Sequence, residues 1–211
     1  CSSDLRFGSD RQALRLCRQI TMLDPANREA FALAMTLADR SDDVAALRWA
    51  CPGVLANEWP AGQQDIATRA NRLADATIER LTKDGKAEEA AAFKALLNQA
   101  KARDLVIEIA WTGDADIDLV VEEPAGTVCS REASRSTSGG TLLADERCPT
   151  DASGQVHRER YSATLAFPGT YRALVRRSTG KVNADTITVE MTMHKGAKGE
   201  QKIRRQVPVT A

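Results

Sequence analysis

The spacing of hydrophobic residues changes near Asp104, and this change constrains the fold of the chain more than any other feature. Before that point apolar residues recur three and four positions apart, as they do along one face of an α-helix. After it they alternate with polar residues, as they do in β-strands with one solvent-exposed face. Most alanines lie in the first part and most threonines in the second, which agrees with their helix and strand preferences. The pattern therefore predicts an α+β chain with an all-α domain at 9–103 and an all-β antiparallel domain at 104–211.

The opening residues Cys1-Ser2-Ser3 stand outside this pattern. A cysteine followed by two serines is typical of the lipid-modified start of a mature bacterial lipoprotein, and it also resembles a translated sequencing-adapter end. We favour the second interpretation because no Met precedes Cys1 and a helix is expected almost at once. Residues 1–8 are therefore interpreted as a non-native or disordered start, and the chain as the C-terminal part of a longer protein.

The first part predicts five helices, and the first three have identifiable boundaries. Helix one begins at Ser9 or Asp10, and its core face carries apolar residues at helical spacing. These residues are Ala13, Leu14, Cys17, Ile20 and Leu23. Pro25 suits the first turn of helix two, because the N–H that proline lacks has no partner there. Helix three follows the polar turn at 40–43, and Cys51-Pro52-Gly53 is expected to end or kink it.

Helices four and five follow Trp59-Pro60 and Asp84-Gly85. The whole alternation resembles tetratricopeptide-type helical hairpins. The resemblance is carried by the helix that ends in Leu23-Asp24-Pro25, by the helix from Ala30 to Ala38, and by the segment from Asp84 to Ala90. It covers most of 9–102, although the 51–62 stretch departs from it, and it implies an extended face for a protein partner. A plain helical bundle is the alternative.

The second part predicts at least six short antiparallel strands with alternating apolar residues. The runs lie at 105–111, 117–121, 161–167, 171–175, 187–193 and 203–209. Turn residues separate the runs, and Pro168-Gly169 is the turn that best indicates a hairpin between neighbouring strands. The basic residues between Lys195 and Arg205 bracket another turn, which we interpret as a solvated hairpin tip. Strands of this number and length predict a β-sandwich with a jelly-roll-like arrangement.

Between Arg103 and Arg131 every charged residue is acidic, and three aspartates alternate through a turn into a strand. We expect Asp116 and Asp118 on one polar face, with Asp114 approaching from the loop. Such close carboxylates repel each other, and Ca²⁺, which binds about six to eight oxygen atoms, would offset the repulsion. Asp114, Asp116, Asp118 and the more distant Asp145 are therefore the predicted metal ligands. The alternative is a solvated acidic edge strand, whose charges discourage edge pairing.

Three segments of the second part together resemble DUF2135 domains, which are β-sandwich modules of bacterial surface and secreted proteins. They are Trp111 with 116–126, Gly139-Gly140 with Asp145, and Phe167-Pro168-Gly169-Thr170-Tyr171. The segments are also similar, more distantly, to the prepeptidase C-terminal domains of secreted proteases. The resemblance covers about residues 104–194, and the stretch from Cys129 to Val156 departs from it. It implies a non-catalytic accessory module in a periplasmic, cell-surface or secreted protein.

The cysteines bear on the same question of compartment. Cys17 and Cys51 lie in apolar helical surroundings and are predicted to be small buried residues. Cys129 and Cys148 flank a long segment rich in Ser, Thr and Gly. A disulfide between them would restrict the unfolded chain, typically by about 2–4 kcal/mol, and would fit an extracytoplasmic compartment. Spacing alone does not establish that they are close, so two free thiols are the alternative.

Composition excludes several functions. Lys+Arg 29 equals Asp+Glu 29, and neither part is basic, which argues against a nucleic-acid partner. The sequence has no run of about 18 apolar residues, so it does not predict a membrane span. We find no nucleophile–base pair or complete metal motif, so the chain is predicted not to be an enzyme, with a hydrolase as the disfavoured alternative.

Composition and motifs together predict a non-catalytic role. The sequence favours a structural or protein-interaction region of a larger bacterial envelope or secreted protein, which binds a protein partner through its helical part. The alternative is a Ca²⁺-dependent module that binds a glycan or a peptide.

Overall fold

A computed structural model of the chain describes residues 2–59, 62–147 and 156–209. The chain divides into two compact units, Cys1–Lys101 and Ala102–Ala211, here named the helical unit and the β unit. Within the described residues the helical unit contains five helices and the β unit contains two antiparallel sheets. The predicted α+β layout, with helices first and antiparallel sheets second, is therefore confirmed.

The helical unit is built around one apolar core to which every helix contributes. Its described helices are α1 (Ser2–Leu23), α2 (Arg28–Arg40), α3 (Val44–Ala56), α4 (Gln64–Lys83) and α5 (Ala87–Lys101). The side chains of Asn27 and Asp43 accept the backbone N–H groups of Ala30 and Ala46, and these N-caps fix where α2 and α3 begin. None of the described helices is both long enough and apolar enough to cross a membrane.

Three helix boundaries differ from the predicted ones. Helix α1 begins at Ser2, so the predicted start at Ser9 or Asp10 is wrong. Because Asn27 caps α2, Pro25 lies in the preceding turn and not in the first turn of that helix. Helix α3 continues through Pro52 to Ala56, so an end at this proline is also wrong. The interpretation of residues 1–8 as non-native stays a prediction.

Tertiary contacts explain why α3 continues past Pro52. Gly53 lies so close to the ring of Phe31 that a Cβ atom on it would be 2.0 Å from Cδ1 of that ring. Trp59 is buried, and its Nε1–H donates to the Val54 carbonyl at 2.9 Å. An interior proline costs a helix about 3 kcal/mol, and these contacts just after it stabilise the helical path.

The β unit contains eight described strands in two antiparallel sheets. They are β1 (Arg103–Thr112), β2 (Asp116–Glu122), β3 (Val128–Cys129), β4 (Gly140–Arg147), β5 (Val156–Ala163), β6 (Arg172–Thr179), β7 (Thr186–Lys195) and β8 (Gln201–Pro208). One sheet has the order β4-β5-β1-β7-β8 and the other has the order β3-β2-β6. Both sheets bury apolar side chains in a common core. The alternation predicted for 105–111 and 117–121 is confirmed, because these runs supply the buried residues of β1 and β2.

The connections between strands are predicted less well. Pro168-Gly169 joins β5 to β6, which lie in different sheets, so the predicted hairpin there is wrong. Strand β5 ends at Ala163, and Leu165 and Phe167 are exposed beyond it. Strands β3 and β4 have no counterpart in the prediction. By contrast, β7 and β8 pair directly across the 195–200 turn, so the predicted hairpin tip is confirmed.

Candidate functional site

The predicted metal ligands lie around the turn between β1 and β2 but point to different partners. Asp114 Oδ1 accepts the backbone N–H of Lys181 at 2.8 Å and so ties the turn to a distant segment. Asp116 is exposed at the start of β2. Asp118 Oδ2 accepts a hydrogen bond from Ser178 Oγ at 3.3 Å. The side chain of Asp145 lies outside the described part of the structure.

A guanidinium group lies against the two alternating aspartates. Nη1 of Arg131 is 3.6 Å from Asp118 Oδ1 and 4.0 Å from Asp116 Oδ1. The cation that offsets their repulsion is therefore supplied by the chain itself. Among the described side chains, no group of three or more His, Cys, Asp or Glu residues is placed to hold a metal ion. Ca²⁺ binding stays a prediction, and it requires Arg131 to move.

The acidic strand β2 is also paired with a basic strand. In the antiparallel register Arg176 of β6 lies opposite Asp118, and Arg172 lies opposite Glu122. Nη1 of Arg172 is 3.7 Å from Glu122 Oε2. Opposite charges on facing strand positions stabilise a sheet. Sequence analysis missed this neutralisation because β6 is distant along the chain, although three arginines between 172 and 177 were a signal for it.

Glu123 is the buried charge of the β unit that sequence analysis did not single out. It is 4% exposed. Its Oε1 accepts hydrogen bonds from Tyr161 Oη and Ser136 Oγ, both at 2.7 Å, and its Oε2 accepts one from Thr127 Oγ1. Burial raises the pKa of Glu123, but the hydrogen bonds from these hydroxyl groups outweigh it and hold that pKa below its ordinary value. The carboxylate is therefore kept ionised inside the fold.

One residue from each of two distant segments that carry the DUF2135 resemblance packs against Glu123 or the adjacent Pro124. Gly140 lies against it, and a Cβ atom there would be 2.1 Å from Glu123 Oε1. Gly169, with φ at +140°, packs on Pro124, where a Cβ atom would be 2.7 Å from the proline Cβ. Only glycine combines this backbone conformation with this close approach. Glu123 and Pro124 therefore form one packed cluster with Gly140 and Gly169, while membership of the family stays a prediction.

A surface cleft of about 580 Å³ opens beside this cluster. One wall is the turn between β2 and β3, and the other is the connection between β5 and β6. The lining residues are Glu122, Glu123, Pro124, Gly126, Val128, Pro168, Gly169, Thr170 and Arg172. The ion pair between Glu122 and Arg172 neutralises the charges on the wall, and the carboxylate of Glu123 is held by hydroxyl groups.

The described cysteines are buried. Cys17 and Cys51 lie in the core of the helical unit, as predicted, and burial raises the pKa of the Cys51 thiol to about 12. Cys129 lies at the end of β3, and burial raises its pKa to about 11. Cys148 lies outside the described residues, so its disulfide with Cys129 stays a prediction.

Helix α1 carries an apolar stripe that faces solvent. Leu16, Ile20 and Leu23 are 52%, 43% and 89% exposed, and their spacing places them on one helical face. The prediction that Ile20 and Leu23 face the core is wrong. Leu14 and Cys17 determine which face of α1 is buried, and at about 100° per residue the stripe is turned away from that face. We name these three residues the α1 stripe.

No protein-family model matches the chain, and no curated protein and no solved structure matches it. The function must therefore be inferred from the residues and contacts of the chain itself. The features that bear on it are the α1 stripe, the acidic turn and the exposed strands of the β unit.

Proposed function

We propose that the chain is a non-catalytic protein-interaction region located outside the cytoplasm, in the C-terminal part of a larger bacterial envelope or secreted protein. Tetratricopeptide-like hairpins would present the binding surface, and a jelly-roll-like β-sandwich related to DUF2135 domains would follow them. The observation that carries the proposal is the α1 stripe. Large apolar side chains aligned on one exposed helical face are typical of a protein-binding surface.

Two features of the fold support this proposal. Short turns join α1 to α2, α2 to α3 and α4 to α5. Helix α2 packs on both α1 and α3, as in helical repeats that bind proteins. In the β unit, two antiparallel sheets bury one common core, as in a sandwich. Neither arrangement requires a catalytic group.

The spacing of the α1 stripe favours a helical partner. Positions i, i+4 and i+7 are those through which one helix packs along another. The polar residues Gln12 and Gln19 border the stripe on one side of the helical wheel. Beyond them lie Arg11, Arg15 and Arg18, beside a hollow of about 260 Å³. The guanidinium carbon of Arg18 lies 5.2 Å from the ring centroid of Trp49. We expect the partner to contribute an amphipathic helix with an apolar contact face.

Site-specific photo-crosslinking in the source cells tests this proposal. A photoreactive side chain at Leu16 or Ile20 should give one specific protein adduct, and the same group at the exposed Arg15 should not. Leu16→Asp combined with Ile20→Asp should reduce the adduct from a probe at Leu23 at least tenfold, while helical circular dichroism stays unchanged because both residues are exposed. Equal adducts from Arg15, or none from the stripe, would contradict the proposal.

One observation favours a second function, the Ca²⁺-dependent binding of a glycan or peptide. Asp118 Oδ1 is a buried atom that accepts no hydrogen bond within the described residues. Calorimetric titration with Ca²⁺ should then give heat that disappears in Asp116→Asn with Asp118→Asn. Arg131→Gln should increase the affinity for Ca²⁺, because the ion would no longer have to displace a guanidinium 3.6 Å from Asp118. No heat with either the native chain or Arg131→Gln would exclude this function.

A further inference from the structure

Strand β6 is an edge strand whose outward backbone groups can be assigned. It pairs with β2 and has no strand on its other side within the described residues. The N–H of Leu119 in β2 points away from β6, because it donates to Glu159 Oε2 at 2.5 Å. In an antiparallel pair, facing residues either bond each other or both point away. Val175 faces Leu119, so its N–H and C=O point outward, and so do those of Ala173 and Arg177.

The core beside this edge is incompletely covered. Val175 packs on the core of the β unit but is only partly buried. In the other sheet β8 is also an edge strand. Its register with Met191 and Ile187 places Ile203 and Val207 on the core side, where they are still 44% and 40% exposed. Strands β6 and β8 therefore border an open side of the core.

The opposite side of the same core is closed. Leu142 and Leu143 of the edge strand β4 are buried. The N–H of Leu142 donates to the Ser134 carbonyl at 2.8 Å, so the segment before β4 covers this edge with its own backbone. No described segment does the same for β6 or β8. The open side therefore lacks a covering backbone segment of the kind that pairs with the edge of β4 on the closed side.

Two arginines give this open side a defined charge. Arg177 of β6 lies opposite the buried Ile117 of β2. Arg205 of β8 lies opposite Val189 of β7. Both therefore belong to the core-facing side of their strands, and both are exposed. Neither forms an ion pair with a carboxylate of the described residues. Apolar and cationic side chains thus follow one another at every second residue, on one face of each strand. They complement a strand that carries apolar and acidic residues in turn at every second position.

We infer that the open side between β6 and β8 binds an extended acidic segment of a partner protein, which adds to β6 as a strand. The backbone of the segment pairs with Ala173, Val175 and Arg177. Its apolar side chains cover Ile203 and Val207, and its carboxylates bind Arg177 and Arg205. Strand addition of this kind combines backbone hydrogen bonds with side-chain selection. The inference concerns the β unit alone and stands or falls independently of the α1 stripe.

A labelled peptide of about eight residues, the length of an ordinary strand, tests this inference on the intact chain. Val and Glu take turns at every second position of the peptide, so that both face the core side, and Ser occupies the positions between them. Fluorescence anisotropy should show saturable binding, and a peptide with Lys in place of Glu should bind at least tenfold more weakly. Bound peptide should slow hydrogen exchange at the amides of Ala173, Val175 and Arg177. The amides of Leu174 and Arg176 point toward β2 and should change little.

Matched variants separate this site from general charge attraction. Arg177→Glu with Arg205→Glu should weaken binding at least tenfold, while Arg204→Glu, on the other face of β8 opposite Glu190, should change it less than twofold. Ala173→Pro removes one outward N–H that β2 does not use, so it should weaken binding and leave the melting temperature unchanged.

Two alternatives predict different results. Charged residues on edge strands also prevent aggregation. If Arg177 and Arg205 served only this purpose, their replacement by Ser would make the chain self-associate and the native chain would not bind the acidic peptide. If the open side bound a second copy of the chain, the native protein would dimerise. Dilution would then dissociate the dimer and expose the open side. Either result, or equal binding of the Lys peptide, would overturn the inference.

Discussion

Replacing Glu123 by Ala should lower the free energy of unfolding of the β unit by about 2–6 kcal/mol, because two buried hydroxyl donors lose their acceptor. The variant leaves the hydroxyl groups of Tyr161 and Ser136 without the acceptor that each uses at 2.7 Å. A buried donor without a partner costs about 1–3 kcal/mol. Thr127 is a partial exception, because its hydroxyl also lies 2.9 Å from Ser138 Oγ. Urea unfolding followed through the buried Trp111 measures the loss.

Two controls separate the network from a general effect of losing a carboxylate. Glu132→Ala removes an exposed glutamate from the same segment and should leave the urea midpoint unchanged. Glu123→Gln retains one oxygen acceptor and the side-chain volume. Its free energy of unfolding should therefore lie between those of the native chain and Glu123→Ala. Equal midpoints for Glu123→Ala and Glu132→Ala would contradict a structural role for the buried carboxylate.

The same network determines how the stability of the β unit depends on pH. Because the folded state holds the pKa of Glu123 below its ordinary value of 4.5, the unfolded state binds the proton more readily. The stabilisation is therefore fully present above that ordinary pKa and is lost as the pH falls through the lowered one. Glu123→Gln should remove this part of the acid dependence. An unchanged slope of stability against pH in the variant would argue against an ionised Glu123.

Hydrophobic spacing predicted those elements whose apolar residues recur regularly along one face. The alternation in β1 and β2 and the helical spacing in α2 and α4 reflect such faces, so their bounds lie close to the predicted ones. Strand β4 escaped prediction because its only large apolar residues, Leu142 and Leu143, are adjacent in the sequence, so the strand has no alternation to detect. The face of α1 that carries Ile20 was wrongly assigned to the core. An apolar residue in a sequence does not by itself show whether its side chain is buried or exposed.

The candidate site was predictable only in part, because its chemistry depends on which strands become neighbours. Sequence spacing correctly placed Asp116 and Asp118 at the start of a strand. It did not reveal Arg131 beside them, nor the basic strand β6 opposite them. Glu123 was visible only as one letter of a motif, because the hydroxyl groups that hold it come from three other segments of the chain. Pairwise contacts of this kind follow from topology, and the one hairpin predicted from Pro168-Gly169 was wrong.

Replacing Trp59 by Ala should destabilise the helical unit by about 3–5 kcal/mol, the usual loss for a large buried aromatic residue. Trp59 is 6% exposed and belongs to the core. Its Nε1–H donates to the Val54 carbonyl at 2.9 Å, and the guanidinium of Arg28 lies 5.7 Å from its ring centroid. The substitution leaves a cavity and removes a contact that holds the last turn of α3. Urea unfolding followed by helical circular dichroism measures the change.

Trp59→Phe distinguishes packing from hydrogen bonding at this position. Phenylalanine keeps most of the buried ring and loses only the Nε1–H donor, so the expected loss is about 1 kcal/mol for the hydrogen bond, plus a smaller contribution from lost volume. If Trp59→Phe and Trp59→Ala cost the same, the hydrogen bond to Val54 would be the dominant contact. If both left the stability unchanged, α3 would continue past Pro52 for another reason, and the close approach of Gly53 to Phe31 would have to hold that turn alone. A Trp59 anchored in this core therefore allows α3 and α4 to share it despite the proline.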